Sequence, residues 1–156
     1  MMGHLGFSYV GALFLIMLFV PNALWARKKP QGYSSEHESR ILLAFERAGE
    51  VLTTACALIF DDFNFHGWSC WTWWLAAAFL LMILYELWWA RYFRGGRRMA
   101  DFYSSFLGIP LAGATLPVAA FFLLGVYGTV VPMMAAAAVL GIGHIGIHLQ
   151  HSRKTA

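Results

Sequence analysis

Four ionisable side chains lie in stretches that are otherwise apolar, and their spacing predicts a shared polar site. Glu46 and Glu50 are four residues apart, so a helix places them on one face. His144 and His148 have the same spacing farther along the chain. Because an ionisable group is costly to bury among apolar neighbours, such a group usually faces a partner or water. The candidate ligand- or proton-binding residues are Glu46, Arg47, Glu50, Glu86, His144 and His148.

Two kinds of chemistry fit this set of side chains. A desolvated carboxyl group and an imidazole can bind and release protons near neutral pH. His144 and His148 are also predicted metal ligands, because two imidazoles one turn apart and carboxylates from another helix form a mixed site for a divalent metal such as zinc, manganese or iron. The sequence argues against haem, since one helix cannot supply two opposite axial ligands. It also argues against a nucleotide cofactor, since no Walker A loop or dinucleotide fingerprint occurs.

The composition indicates a membrane protein. The chain has 156 residues, of which 60% are apolar and only 12% charged, about half the ~25% charged fraction of a soluble domain. Its mean hydropathy is +0.60. These values exclude a disordered chain and a disulfide scaffold, and the two cysteines, Cys56 and Cys70, are predicted as buried thiols with a disulfide as the alternative. The net charge of +3 comes from residues that flank apolar runs, so no nucleic-acid partner is expected.

Five stretches are long enough to cross a hydrocarbon core of about 30 Å. Four are apolar throughout, and the fifth, 36–60, carries Glu46, Arg47 and Glu50. A capping-box pattern at Ser35, Glu36, His37 and Glu38 marks its start. The sequence therefore predicts an all-α polytopic bundle of five transmembrane helices, with four as the fallback if 36–60 lies on the membrane surface. The predicted single integral membrane domain, 1–156, has helices at approximately 5–25, 36–60, 69–90, 103–126 and 130–150.

The positions of the basic residues predict the orientation. All eleven Lys and Arg follow the first, third or fifth predicted helix or lie on the second, and segments 61–69 and 127–129 contain none. Since cytoplasmic loops collect Lys and Arg, the amino terminus is predicted outside and the carboxyl terminus in the cytoplasm. This orientation places the candidate residues in the inner half of the bilayer. We therefore predict a polar pocket that opens to the cytosol and is lined by the second, third and fifth helices.

Two segments resemble parts of small bacterial polytopic membrane proteins. They are residues 101–117, DFYSSFLGIPLAGATLP, and residues 143–148, GHIGIH. The resemblance implies a location in the bacterial cytoplasmic membrane and implies no activity.

The leading functional hypothesis is that the pocket binds and moves a small solute or ion, with proton coupling through Glu46, Glu50 and His144. One alternative is a membrane-embedded, metal-dependent enzyme that acts on a lipid or a small cytosolic substrate. Another is an accessory or scaffold subunit, in which the polar residues only fix helix pairing. The expected partners are the lipid bilayer, a small solute, ion or proton, and further copies of the chain or a larger membrane complex.

Overall fold

The protein is a bundle of α-helices. The structure, a computed structural model, describes residues 2–36 and 38–155, with side chains up to Arg153. Within these ranges there are six α-helices and no strand. They are α1 (Tyr9–Arg27), α2 (Arg40–Ile59), α3 (Thr72–Arg94), α4 (Met99–Phe102), α5 (Ala112–Tyr127) and α6 (Val131–Thr155), and a 3-10 turn covers Asp61–Phe63. The five long helices correspond to the five predicted ones, with different starting points.

The first two helices begin later than the sequence predicts. Residues 5–8 are extended and pair with the end of α2, where the amide of Gly6 donates to the carbonyl of Ile59 at 2.9 Å. Ser8 then caps α1 by accepting a hydrogen bond from the amide of Gly11. The capping box predicted at residues 35–38 includes His37, which lies outside the described residues. Helix α2 begins at Arg40, because Ser39 is extended and the Glu38 carboxylate contacts other parts of the chain.

The predicted helix 103–126 is nine residues too long at its start, since α5 begins at Ala112. Residues 103–111 instead form turns, with positive φ angles at Leu107, Gly108 and Leu111. Pro110 explains this break, because a proline disfavours helical geometry at the residue before it. Pro117 is accommodated inside α5.

Close contacts at glycines determine which helices are neighbours. Helix α2 packs most extensively on α6, and α5 packs on both α3 and α6. A Cβ atom at Gly49 would overlap the backbone of Leu140, and one at Gly143 would overlap the backbone of Glu46. Helix α1 completes the ring by contacting α2 and α3. At the end of α1 near Ser8, the approach to α2 is so close that Gly11 leaves no room for a side chain beside the carbonyl of Ala57.

Three helices are long and apolar enough to cross a membrane. Within the described part of the chain they are α1, α3 and residues Val131–Arg153 of α6. Helix α5 is equally apolar but has only 16 residues. Helix α2 has 20 residues and carries four charged side chains, Arg40, Glu46, Arg47 and Glu50. The protein is therefore a membrane protein with transmembrane helices.

The two ends of the bundle differ in charge. We call the end where α1 and α3 terminate and α2 begins the basic end, because it carries Arg27, Arg40 and Arg94. The opposite end carries the acidic segment at Asp61 and Asp62 and the exposed tryptophans near the start of α3. Both cysteines have free thiols; Cys56 is buried as predicted, whereas Cys70 is exposed because it precedes α3 in an open turn.

Candidate functional site

The structure brings Glu46 of α2 and His144 of α6 together. His144 Nδ1 lies 2.6 Å from Glu46 Oε1, a hydrogen bond between residues 98 positions apart. The two side chains are only 16% and 25% exposed. Gly143 makes this contact possible, because its missing side chain lets α6 approach the backbone of Glu46. A short hydrogen bond between two ionisable groups with little exposure can hold or release a proton with little rearrangement.

A cavity of about 150 Å³ adjoins this pair. Helices α1, α2, α5 and α6 all contribute to its wall, which is mostly apolar. The polar groups on the wall belong to Asn22, Glu50, Thr53, Thr54 and His144. The Thr53 hydroxyl is buried and has no hydrogen-bond partner within the described part of the protein. An unpaired buried hydroxyl on a cavity wall is available to a bound water or solute.

Pro117 adds a further polar feature to the same wall. A proline has no backbone N–H, so the carbonyl four residues earlier, that of Gly113, has no helical hydrogen-bond donor at position 117. In a membrane, such freed carbonyls are tolerated where neighbouring groups or water satisfy them. Water in the cavity could therefore form a hydrogen bond with the freed carbonyl of Gly113.

Glu50 lines the cavity, and Arg47 contacts Glu50 without forming part of the cavity wall. Arg47 is 3.8 Å from Glu50, and their side chains are 74% and 47% exposed. Phe19 of α1, which also lines the cavity, is 49% exposed. The exposed side chains of Glu50 and Phe19 mark the mouth of the cavity. Glu50 therefore reaches both the cavity and its mouth.

His148 and His151 continue from His144 toward the basic end along α6. The rings of His144 and His148 are 4.6 Å apart, measured between centroids. The His148 ring also packs against Phe102 and Tyr103, and its Nδ1 is buried with no hydrogen-bond partner among the described residues. His151 Nε2 lies 3.0 Å from Glu38 Oε1, and these side chains are 9% and 10% exposed. The three imidazoles form a row along α6, in which His144 and His148 are in contact and His151 lies three residues farther on.

Two tyrosines pack around the last imidazole of this row. Tyr33 and Tyr103 stack on His151 with centroid distances of 5.6 and 5.7 Å. The Tyr33 hydroxyl donates to Glu38 at 3.4 Å. Burial and the nearby Glu38 carboxylate raise the pKa of Tyr33 to about 12, and burial likewise raises the pKa of Tyr103. Both hydroxyls therefore keep their protons at neutral pH.

Glu86 does not join the other candidate residues. It lies on α3, which does not contribute to the cavity wall. Its Oε1 is buried, with no hydrogen-bond partner in the part of the chain that the structure describes. The second and fifth predicted helices, α2 and α6, line the cavity as predicted. The third, α3, does not, and α1 and α5 complete the wall instead.

Sequence reasoning missed the contributions of Asn22 and Glu38. Asn22 is a lone amide in the apolar helix α1, and its side chain donates to the carbonyl of Leu18 and to the hydroxyl of Tyr85, each at 2.7 Å. A single amide in an apolar span indicates an interhelical contact and was a usable signal. Glu38 gave no signal beyond its capping-box position, because its partner His151 is 113 residues away.

The predicted metal site at His144 and His148 lacks further ligands. Within residues 2–36 and 38–155, no group of three or more His, Cys, Asp or Glu side chains could hold a metal ion. The Nδ1 atom of His144 is already hydrogen-bonded to Glu46. The arrangement suits proton exchange more directly than metal binding.

Comparison with known proteins adds no assignment. No protein family, curated protein or solved structure matches this chain. The functional argument therefore depends on the site itself, which combines a small cavity, two carboxylates, one arginine and a row of imidazoles.

Proposed function

We propose that this protein binds a small solute or ion in the cavity between α1, α2, α5 and α6 and moves it across the membrane with exchange of protons. The observation that carries the proposal is the 2.6 Å hydrogen bond between Glu46 and His144, because His144 also lines that cavity. Ionisable residues inside membrane proteins commonly mark ion or proton pathways. Here the pair has a cavity beside it that can hold the cargo.

The size and lining of the cavity support a small cargo. Its volume of about 150 Å³ matches that of an engineered protein cavity that binds benzene. Leu18, Phe121 and Leu140 give an apolar surface, while Glu50 and Thr53 offer polar contacts. A solute of roughly benzene size, or a partly hydrated ion, fits such a space.

Proton exchange at Glu50 supplies a coupling mechanism. Ionised Glu50 attracts Arg47, and its protonation weakens that ion pair. Because Glu50 lines the cavity, a change in its pairing with Arg47 alters the charge that a cargo meets on the cavity wall. A cationic cargo that replaces the proton on Glu50 links cargo binding to proton release.

We also propose that all five long helices cross the bacterial cytoplasmic membrane, with the amino terminus outside and the basic end in the cytoplasm. The clustering of Lys and Arg at one end supports this orientation. The pairing of Glu46 with His144 supports α2 as a spanning helix, because a paired charge is less costly inside a bundle than an isolated one.

The test is transport by the purified protein in liposomes that contain a trapped pH-sensitive dye. Small amines, small carboxylates, sodium, potassium and divalent cations are added outside one at a time, and the internal pH is followed. We expect the wild type to give a cargo-dependent pH change that Glu50→Gln reduces at least about tenfold. Glu86→Gln is the matched control, since it makes the same chemical change away from the cavity.

A folded Glu50→Gln variant that transports as well as the wild type would overturn the proposal. Loss of transport in both Glu50→Gln and Glu86→Gln would also count against it, because the effect would then not depend on the cavity. If neither the wild type nor any variant gives a pH change with any of these solutes, the accessory-subunit hypothesis replaces transport.

A further inference from the structure

We propose that His148 and His151 form a proton relay between the Glu46–His144 pair and the basic end of the bundle. Protons then reach the cavity by a route separate from that of the cargo. This inference rests on the proposed function and deepens it, because it assigns the side of the protein from which coupling protons come.

The first step of the relay joins His144 to His148. The two residues are one helical turn apart on α6, and their ring centroids are 4.6 Å apart. At that separation a proton passes between ring nitrogens directly or through one bridging water. His144 is held by Glu46 through Nδ1, so the pair can store the proton that His148 delivers.

His148 is suited to passing a proton on rather than keeping it. Its ring packs against Phe102, Tyr103 and His144, none of which is a carboxylate, and its buried Nδ1 has no partner among the residues described. A proton that binds Nδ1 of a neutral imidazole produces an imidazolium, and loss of the Nε2 proton restores a neutral ring. One proton enters and one leaves, and rotation of the ring resets the donor.

The second step joins His148 to the His151–Glu38 pair at the basic end. His151 follows His148 by three residues, which on a helix corresponds to a rise of roughly 4.5 Å. The 3.0 Å contact between His151 Nε2 and Glu38 Oε1 gives the proton a second carboxylate partner. Glu38 lies two residues before the first residue of α2, at the basic end, and its side chain is 10% exposed, so it is the member of the row's contacts nearest that end.

Aromatic side chains pack around the row and leave no space for the cargo, so only protons can move along the histidines. Tyr33 and Tyr103 stack on His151, and Phe102 packs on His148 and on Trp25. Phe102 and Tyr103 are buried, and the cavity wall includes none of these four aromatic residues. Contacts this close exclude a solute of the size that the cavity holds. Among the described residues, the charged and titratable groups that face the row are Glu46, Glu50, Glu38, Tyr33 and Tyr103.

The relay is tested by the rate at which the ring N–H of His144 exchanges with water. The full chain, labelled with ¹⁵N-histidine and reconstituted in lipid nanodiscs, is studied by NMR, and its six histidines are assigned by single substitutions. We expect His148→Phe to slow this exchange at least about tenfold, a smaller factor than the roughly 10²–10⁴-fold that a positioned acid or base contributes to a reaction. Phenylalanine keeps the aromatic packing and removes both nitrogens.

Two further variants complete the design. His66→Phe makes the same change at an exposed position of the opposite end and should leave the exchange rate unchanged. Glu38→Gln disrupts the relay at its entrance without altering His148, so it should slow exchange in the same sense and also serves if His148→Phe does not fold. An unchanged ¹⁵N shift of His144 confirms that the Glu46 contact is intact.

The outcomes separate the relay from the proposed function. Unchanged exchange in folded His148→Phe and Glu38→Gln variants would overturn the relay and leave protons entering through the cavity mouth, which is compatible with transport. Slow exchange in both variants supports the relay. If that result accompanies normal transport by Glu50→Gln, the relay holds and the proposed transport mechanism fails.

Discussion

At the scale of single residues, the acidic segment at the opposite end holds the amino-terminal strand-like segment in place. Asp62 accepts hydrogen bonds from the backbone amide of His4 at 2.6 Å and from its ring at 2.7 Å. Asn64 accepts from the amide of Tyr9 and donates to the carbonyl of Phe7. In the sequence these side chains resemble those of a solvent-exposed loop. In the structure they form hydrogen bonds with the backbone that precedes α1.

The His4–Asp62 pair predicts how stability depends on pH. The Asp62 hydrogen bond raises the pKa of His4; burial alone would raise the pKa of Asp62, but hydrogen bonds from His4 outweigh it and lower that pKa. The His4 contribution is present below its ordinary pKa of 6.5 and is lost as the pH rises through the raised value. The Asp62 contribution is present above 3.8 and is lost as the pH falls through the lowered value.

We therefore expect the thermal unfolding midpoint to decline as the pH rises above 6.5, and this decline to be smaller in Asp62→Asn. Circular dichroism of the detergent-solubilised protein measures it. His66→Ala, which removes another imidazole from the same end, should keep the wild-type profile. Identical profiles in Asp62→Asn and the wild type would contradict the prediction.

At the scale of helices, the contact between α2 and α6 positions the candidate site. Gly49 and Gly143 each face the backbone of the other helix with no room for a methyl group. These two positions bracket the Glu46–His144 contact, so the distance between the helices determines whether that hydrogen bond forms. Small residues commonly allow such close approach between membrane helices.

Replacing Gly143 with alanine should separate the two helices. We expect Gly143→Ala to lower the free energy of unfolding by about 1–3 kcal/mol, the usual cost of overpacking, and to weaken the Glu46–His144 hydrogen bond. Unfolding in mixed detergents gives the free energy, and the ¹⁵N shift of His144 reports the hydrogen bond. The control is Gly141→Ala, where the new methyl group would meet side-chain methyl groups and no backbone: one of Val118 at 3.0 Å and one of Ile145 at 3.9 Å. Equal stability of the two variants would contradict this explanation.

At the scale of the whole molecule, the two free cysteines report how the chain is oriented. Cys70 is exposed at the opposite end, whereas Cys56 is buried within α2. If the basic end is cytoplasmic, Cys70 lies on the outer side of the membrane.

A membrane-impermeant maleimide should therefore label wild-type protein in cells whose cytoplasmic membrane is intact. Cys70→Ser should abolish the labelling, and Cys56→Ser should leave it unchanged, because the Cys56 thiol is shielded from the reagent. Labelling that requires disruption of the membrane would reverse the proposed orientation.

The sequence by itself determined the class of protein, the five long helices and the separation of charge between the two ends. These properties depend on the length of apolar runs and on the positions of Lys and Arg, which are local features. It also identified Glu46, Glu50 and His144 as unusual, because ionisable groups in apolar segments are visible without a structure. Helix starts were less accurate, since Glu38 is engaged by His151 and Pro110 interrupts the segment before α5.

Only the tertiary structure decided which helices are neighbours. That choice depends on shape, where Gly49 and Gly143 admit a second backbone, and residue spacing does not encode it. The tertiary structure placed α1 and α5 around the cavity and left Glu86 of α3 outside it. It also joined His151 to Glu38 across 113 residues, a pairing between side chains that no helical period relates.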